Sequence, residues 1–130
     1  MALGRPGIYQ IQAAISALHV EAATPEQTDW PQIAELYHAL GRLTPTPVVQ
    51  VGRAVAVGMA HGPREGLRYL NAVAEVLDGY FPFHAARADL LRRNGEREAA
   101  AEAYQQAAGL CQNGPERAYL QKRLREMSVT

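Results

Sequence analysis

Two similar texts a fixed distance apart narrow the fold more than any other feature of this chain. Gly62 stands thirty-three residues before Gly95, and GPREGLRYLNAVAEVL from the first aligns with GEREAAAEAYQQAAGL from the second. The alignment sets Glu65 with Glu98, Gly66 with Ala99, Leu70 with Ala103, Ala74 with Ala107 and Leu77 with Leu110. Small and apolar residues recur in both copies three and four apart, the spacing at which one face of an α-helix returns. Asn94-Gly95 is a pair that ends a helix by letting the backbone enter the left-handed region. Each copy is therefore half of a helical hairpin, and such a unit covers its apolar face only by stacking on a neighbour.

Further matches place the hairpins in the tetratricopeptide-like (TPR-like) class. Ala100-x3-Tyr104 reproduces the small-then-aromatic pair of the second helix in that repeat, and Trp30-x2-Ile33-Ala34-x2-Tyr37 follows its first-helix pattern. On that reading Trp30 and Tyr37 pack between the first hairpins. Arg87 departs from the pattern, because it stands where an apolar side chain is expected. A guanidinium drawn into a core needs a carboxylate partner, and Glu102 or, by preference, Glu116 is expected to supply it.

The periodicity predicts seven helices: 9–22, 30–43, a third from Thr46-Pro47 to His61, 63–77, 84–94, 96–110, and one from Asn113-Gly114-Pro115 to near Met127. Asp29 before Trp30-Pro31 and Thr46 before Pro47 are start signals, in which an oxygen accepts a free amide of the first turn and proline fills a position with no hydrogen bond to lose. No segment alternates as a surface strand does. The fold class is all-α, with about seven antiparallel helices stacked as TPR-like hairpins in a single domain over 1–130. The opening Gly and Pro suggest a piece cut from a longer chain. The last helix carries Arg117, Lys122, Arg123 and Arg125 outside Tyr119, Leu120 and Leu124, the polar outer face that the end of a repeat stack requires.

Thirteen basic and thirteen acidic residues give a formal charge of zero, so no global field draws the chain to nucleic acid or an anionic membrane. One cysteine, Cys111, excludes an internal disulfide, and the cytoplasm is the expected compartment. His19, His38, His61 and His84 form no i, i+4 pair, and Glu35-x-x-His38 is half of a di-iron motif whose other half is missing. No catalytic site, metal or cofactor is expected, and the chain is not read as an enzyme.

Several ordered groups carry a resemblance that covers nearly the whole chain. They are Gly7-x-Tyr9-Gln10-x-Gln12-Ala13-Ala14-Ile15 with His19, Thr28-Asp29-Trp30, Leu36-Tyr37, Leu43-Thr44-Pro45-x-Pro47, Arg53-Ala54-Val55-Ala56 and His61-Gly62-Pro63. Ala86-Arg87-Ala88-Asp89-Leu90-Leu91 and Asn113 with Glu116-Arg117 complete the set. The text resembles the C-terminal extension of a subgroup of bacterial extracytoplasmic-function (sigma-24-like) RNA polymerase sigma factors. That resemblance implies a TPR-like regulatory and interaction domain that follows the DNA- and polymerase-binding regions. Its partners would be those N-terminal sigma regions, RNA polymerase or both, with no direct DNA binding by this stretch and no membrane. Gly52 and Gly58 replace larger residues of that pattern and are expected to loosen the third helix. The alternative is a free-standing TPR-like adaptor that holds a peptide or protein partner. On either reading Glu35, His38, Asp89, Arg92 and Arg93 are the expected partner-binding residues, on one concave mixed-charge surface, with Trp30, Tyr37, Arg87, Tyr104 and Glu116 structural.

Overall fold

A computed structural model describes residues 7–22, 24–111 and 114–128. Among these, seven α-helices and no strand are present: α1 (Ile8–Glu21), α2 (Trp30–Leu43), α3 (Pro47–His61), α4 (Pro63–Ala72), α5 (Phe81–Arg93), α6 (Arg97–Leu110) and α7 (Gly114–Ser128). The start signals act as their chemistry requires. The Asp29 carboxylate accepts the Gln32 amide at 3.2 Å and the Thr46 hydroxyl accepts that of Val49 at 3.4 Å, with Pro31 and Pro47 in the first turns. Asn113, the first residue of the last start signal, lies outside the described residues.

Each helix packs on the next in the chain, and α3 packs on α5 as well. This is the stacked-hairpin architecture: α3–α4 and α5–α6 are successive hairpins, and α3 and α5 are their equivalent first helices. The hinge glycines thirty-three residues apart both carry positive φ, 106° at Gly62 and 80° at Gly95. With ψ at 151°, Gly62 lies in a region open essentially to glycine alone. Gly62→Ala should therefore cost about 1 to 3 kcal/mol although its Cβ meets open space, a loss measurable by urea denaturation.

Apolar side chains gather in two clusters. One joins α1, α2 and the near face of α3 through Ile11, Ile15, Ile33, Leu40, Val49 and Val57. The other runs from α3 to α7 through Leu67, Leu70, Phe83, Leu90, Tyr104 and Leu120. Tyr69 packs against both. Ala100 and Tyr104 are fully buried, which places the repeat's small-then-aromatic pair in the core.

The repeat correspondence stops where α4 ends. The helix expected over 63–77 closes at Ala72 and continues as turns to residue 79. There the Val73 amide bonds Leu70 O and the Ala74 amide bonds Asn71 O, three residues back rather than four. The tighter winding carries Leu77 into the core at 3% exposure, whereas its counterpart Leu110, on the uninterrupted α6, is 42% exposed. It also lets α5 start at Phe81, three residues before the expected His84, and brings Phe83 inside.

The glycines of α3 correct a second expectation, for they are contact sites rather than loose points. A Cβ at Gly52 would stand 2.6 Å from the Tyr37 ring. Gly58 faces Gly66 of α4 beneath Leu90 of α5, and a Cβ on Gly66 would lie 2.7 Å from Ala54 O and 2.9 Å from Gly58 Cα. α3 and α4 cross closely because neither helix carries a side chain at that point.

Candidate interaction surface

The five expected partner-binding residues fall into two groups on different layers of the stack. Since α3 and α5 are first helices, the alternation makes α2 a second helix, although its Trp30–Tyr37 text matches the first-helix pattern. Glu35 and His38 therefore stand on the layer of α4 and α6, while Asp89, Arg92 and Arg93 stand on that of α3 and α5. Sequence spacing placed all five on one concave side. It could not decide which of two alternating layers the faces belong to, because a hairpin's halves share the same 3.6-residue period.

Asp89 and Arg92 are engaged inside the fold. The Tyr104 hydroxyl donates to Asp89 Oδ1 and accepts from Arg92 Nε at 3.1 Å. Tyr119 on α7 donates to the same carboxylate oxygen at 3.2 Å and accepts from Arg123 Nε at 3.2 Å, while Arg123 also pairs with Glu126 at 3.1 Å. One carboxylate thus ties α5 to α6 and to α7. Burial, and then the hydrogen bond to Asp89, push the Tyr104 phenol well above the usual range, so it stays a neutral donor. Arg93 remains exposed and available to a partner.

Arg87 is half-buried rather than withdrawn from water, and it does not meet Glu116. It lines a polar cleft of about 380 Å³ with Asn71, Asp78, His84, Glu102 and Gln106, with no ion pair to Glu102. Nearly every other turn of α5 is covered, so the long arginine stem reaches the edge between α4 and α6, which is the snorkelling expected of such a side chain. Glu116 lies instead beside the buried Cys111, whose thiol is 4.0 Å from Glu116 Oε2. The contact expected between α5 and α7 does exist, but Asp89 and Tyr119 make it. Trp30 is half-buried and meets the His19 ring edge-on at 5.3 Å, and Tyr37, also half-buried, lies against Gly52. Burial raises the pKa of the Tyr37 phenol.

His38 belongs to a surface that spacing alone did not reveal. Its ring lies 5.8 Å from Tyr69 of α4, and the Tyr69 ring is flanked by the guanidinium of Arg53 at 5.0 Å and that of Arg68 at 5.6 Å. Arg68 is largely exposed and pairs with Glu65 at 2.8 Å. Arg53 is half-buried, and its Nε is shielded from water with no hydrogen-bond partner. The outcome is a tyrosine ring overlain by two guanidiniums where α2, α3 and α4 meet, with the Arg68 side chain exposed to solvent. The one sequence clue was the hinge at Gly62, which folds the nine residues back to Arg53 against the seven forward to Tyr69.

No protein-family profile matches the chain. It is similar to an uncharacterized protein of Rhizobium meliloti (strain 1021), with 47% identity over 125 residues. The match takes in 96% of this chain and 30% of the relative, so the chain spans less than a third of the protein it matches.

Proposed function

We propose that this chain is a regulatory, protein-binding module of a bacterial extracytoplasmic-function RNA polymerase sigma factor. It acts in the cytoplasm on the sigma regions of its own polypeptide, on RNA polymerase or on both, and so tunes transcription initiation. One observation carries the reading: nearly the whole chain corresponds to a minor part of a longer bacterial protein, the relation of an appended module to its parent. The ordered residue groups from Gly7 to Arg117 point to the identity of the parent by resemblance. Stacked hairpins suit the role because they present broad, rigid surfaces without closing around a small ligand. A formal charge of zero favours a polypeptide over DNA as the direct contact.

The test is transcription from a dependent promoter by the full-length protein carrying Arg68→Glu and Arg93→Glu. Both side chains are exposed, so the fold should survive. The expected result is a several-fold change in promoter output with an unchanged thermal midpoint, since like charges set against each other at a contact oppose binding. Output equal to that of the unaltered protein would remove both exposed arginines, one on each layer, from the mechanism. The second reading, a free-standing adaptor, is favoured by the Arg53–Tyr69–Arg68 platform, which suits an acidic peptide. Capture of acidic peptides with no effect on any sigma-dependent promoter would select it.

A further inference from the structure

The polar cleft beside Arg87 lies at a junction that one repeat earlier is occupied by aromatic rings. Counting back thirty-three residues takes Glu102 to Tyr69, Asn71 to His38, Arg87 to Ala54 and His84 to Val51. In the earlier copy the Tyr69 and His38 rings meet at 5.8 Å between α4 and α2, and Val51 and Ala54 of α3 are buried. In the later copy both rings are replaced by shorter polar groups, and Val51 and Ala54 give way to an imidazole and a guanidinium. A cleft of about 380 Å³ opens there between α4, α5 and α6. That volume falls in the range of small-molecule pockets, roughly 300–1,000 Å³. A stack that had only to cohere would repeat its apolar contacts, whereas these four departures all line one cavity.

Charge decides what the cleft can take. Arg87 is half-buried and Glu102 exposed, on adjoining helices that line the same cleft, and neither makes an ion pair among the described residues. Two opposite charges held apart across a cleft are matched by a molecule that carries both, with its carboxylate on the guanidinium and its ammonium on the carboxylate. Asp78, whose Oδ1 lies 3.8 Å from His84 Nε2, sets a second carboxylate at the rim, and this surplus of negative charge favours a basic side chain on the ligand. The floor gives a separate sign of an occupant. The His84 side chain is 6% exposed, and its Nε2 must donate to Asp78 O, because a carbonyl can only accept. Nδ1 is then an acceptor, shielded from water, with no donor among the described residues. A ligand N–H is the partner that such a buried nitrogen lacks.

We infer that this cleft binds a free α-amino acid with a basic side chain, its carboxylate on Arg87 and its ammonium on Glu102. The site stands whether or not the chain belongs to a sigma factor, since it requires neither polymerase nor parent. Isothermal titration calorimetry of the full-length protein tests it, with L-arginine as the probe up to ~10 mM, a range that reveals even a millimolar Kd. Saturable binding is expected. Agmatine, which lacks the carboxylate, and N-acetyl-L-arginine, which lacks the ammonium, should each bind about tenfold or more weakly, because each leaves one charged group of the cleft unmatched. Arg87→Gln should abolish the preference for L-arginine over agmatine, and Glu102→Gln the preference over N-acetyl-L-arginine. A general loss of structure would not produce that crossed pattern. Glu102 is exposed, so its variant should keep the parent's thermal midpoint and decides the question even if Arg87→Gln folds poorly. No saturable binding of L-arginine would overturn the proposal, as would affinity undiminished by Glu102→Gln. Agmatine binding as tightly as L-arginine would overturn it too, and would leave a site for cations in general.

Discussion

Gly66→Ala should lower the free energy of unfolding by about 2 kcal/mol or more, the range found when atoms are forced into a packed core. The added Cβ would stand 2.7 Å from Ala54 O and 2.9 Å from Gly58 Cα. Both are backbone atoms of α3, so no side-chain rotation relieves the clash and the two helices must separate. Leu90, whose Cδ1 lies 2.9 Å from the same point, would lose its seat. Alanine's better helix propensity returns about 1 kcal/mol, which is too little to reverse the sign. Gly109→Ala is the control: nothing lies within 4 Å of its Cβ position and it sits inside α6, so that variant should be stabilised by up to about 1 kcal/mol. Chemical denaturation of the three proteins decides the matter, and a Gly66→Ala midpoint at or above the parent's would show that α3 and α4 do not cross as closely as described.

Tyr104→Ala should cost more, about 3 to 5 kcal/mol, by analogy with the loss of a fully buried aromatic. Two effects add. The ring leaves a void between α5 and α6, and its hydroxyl no longer joins Asp89 to Arg92. Tyr104→Phe separates them, since it keeps the ring and deletes only the hydroxyl, and a loss of about 1 to 2 kcal/mol is expected. The Arg92–Asp89 approach of 3.9 Å is too long to replace the missing bonds. Because Tyr119 shares the same carboxylate oxygen, Tyr104→Phe and Tyr119→Phe should be non-additive in a double-mutant cycle. Strict additivity would mean that the two hydroxyls act independently on Asp89, leaving α7 held by Leu120 and by the Arg97 bonds to the Glu126 and Met127 carbonyls.

The local rules of the chain were legible without a structure. The 3.6-residue recurrence fixes which face of each helix is apolar, Asp29 and Thr46 accept the amides of their own first turns, and Gly62 and Gly95 adopt the positive φ that the spacing of thirty-three residues implied. Each of these depends on atoms within a few residues of one another. What depended on the third dimension was the partner of each polar group. Arg87 and Glu116 were a sound pair by chemistry, but the angle at which α7 crosses α5 puts Tyr119 over Asp89 instead. Arg53 and Tyr69 meet because two glycines let α3 and α4 approach, and the order of the layers separates His38 from Arg93. A sequence specifies faces through period and caps. Which faces meet is decided by crossing angles and interhelical distances, which are set by the size of side chains far apart in the chain.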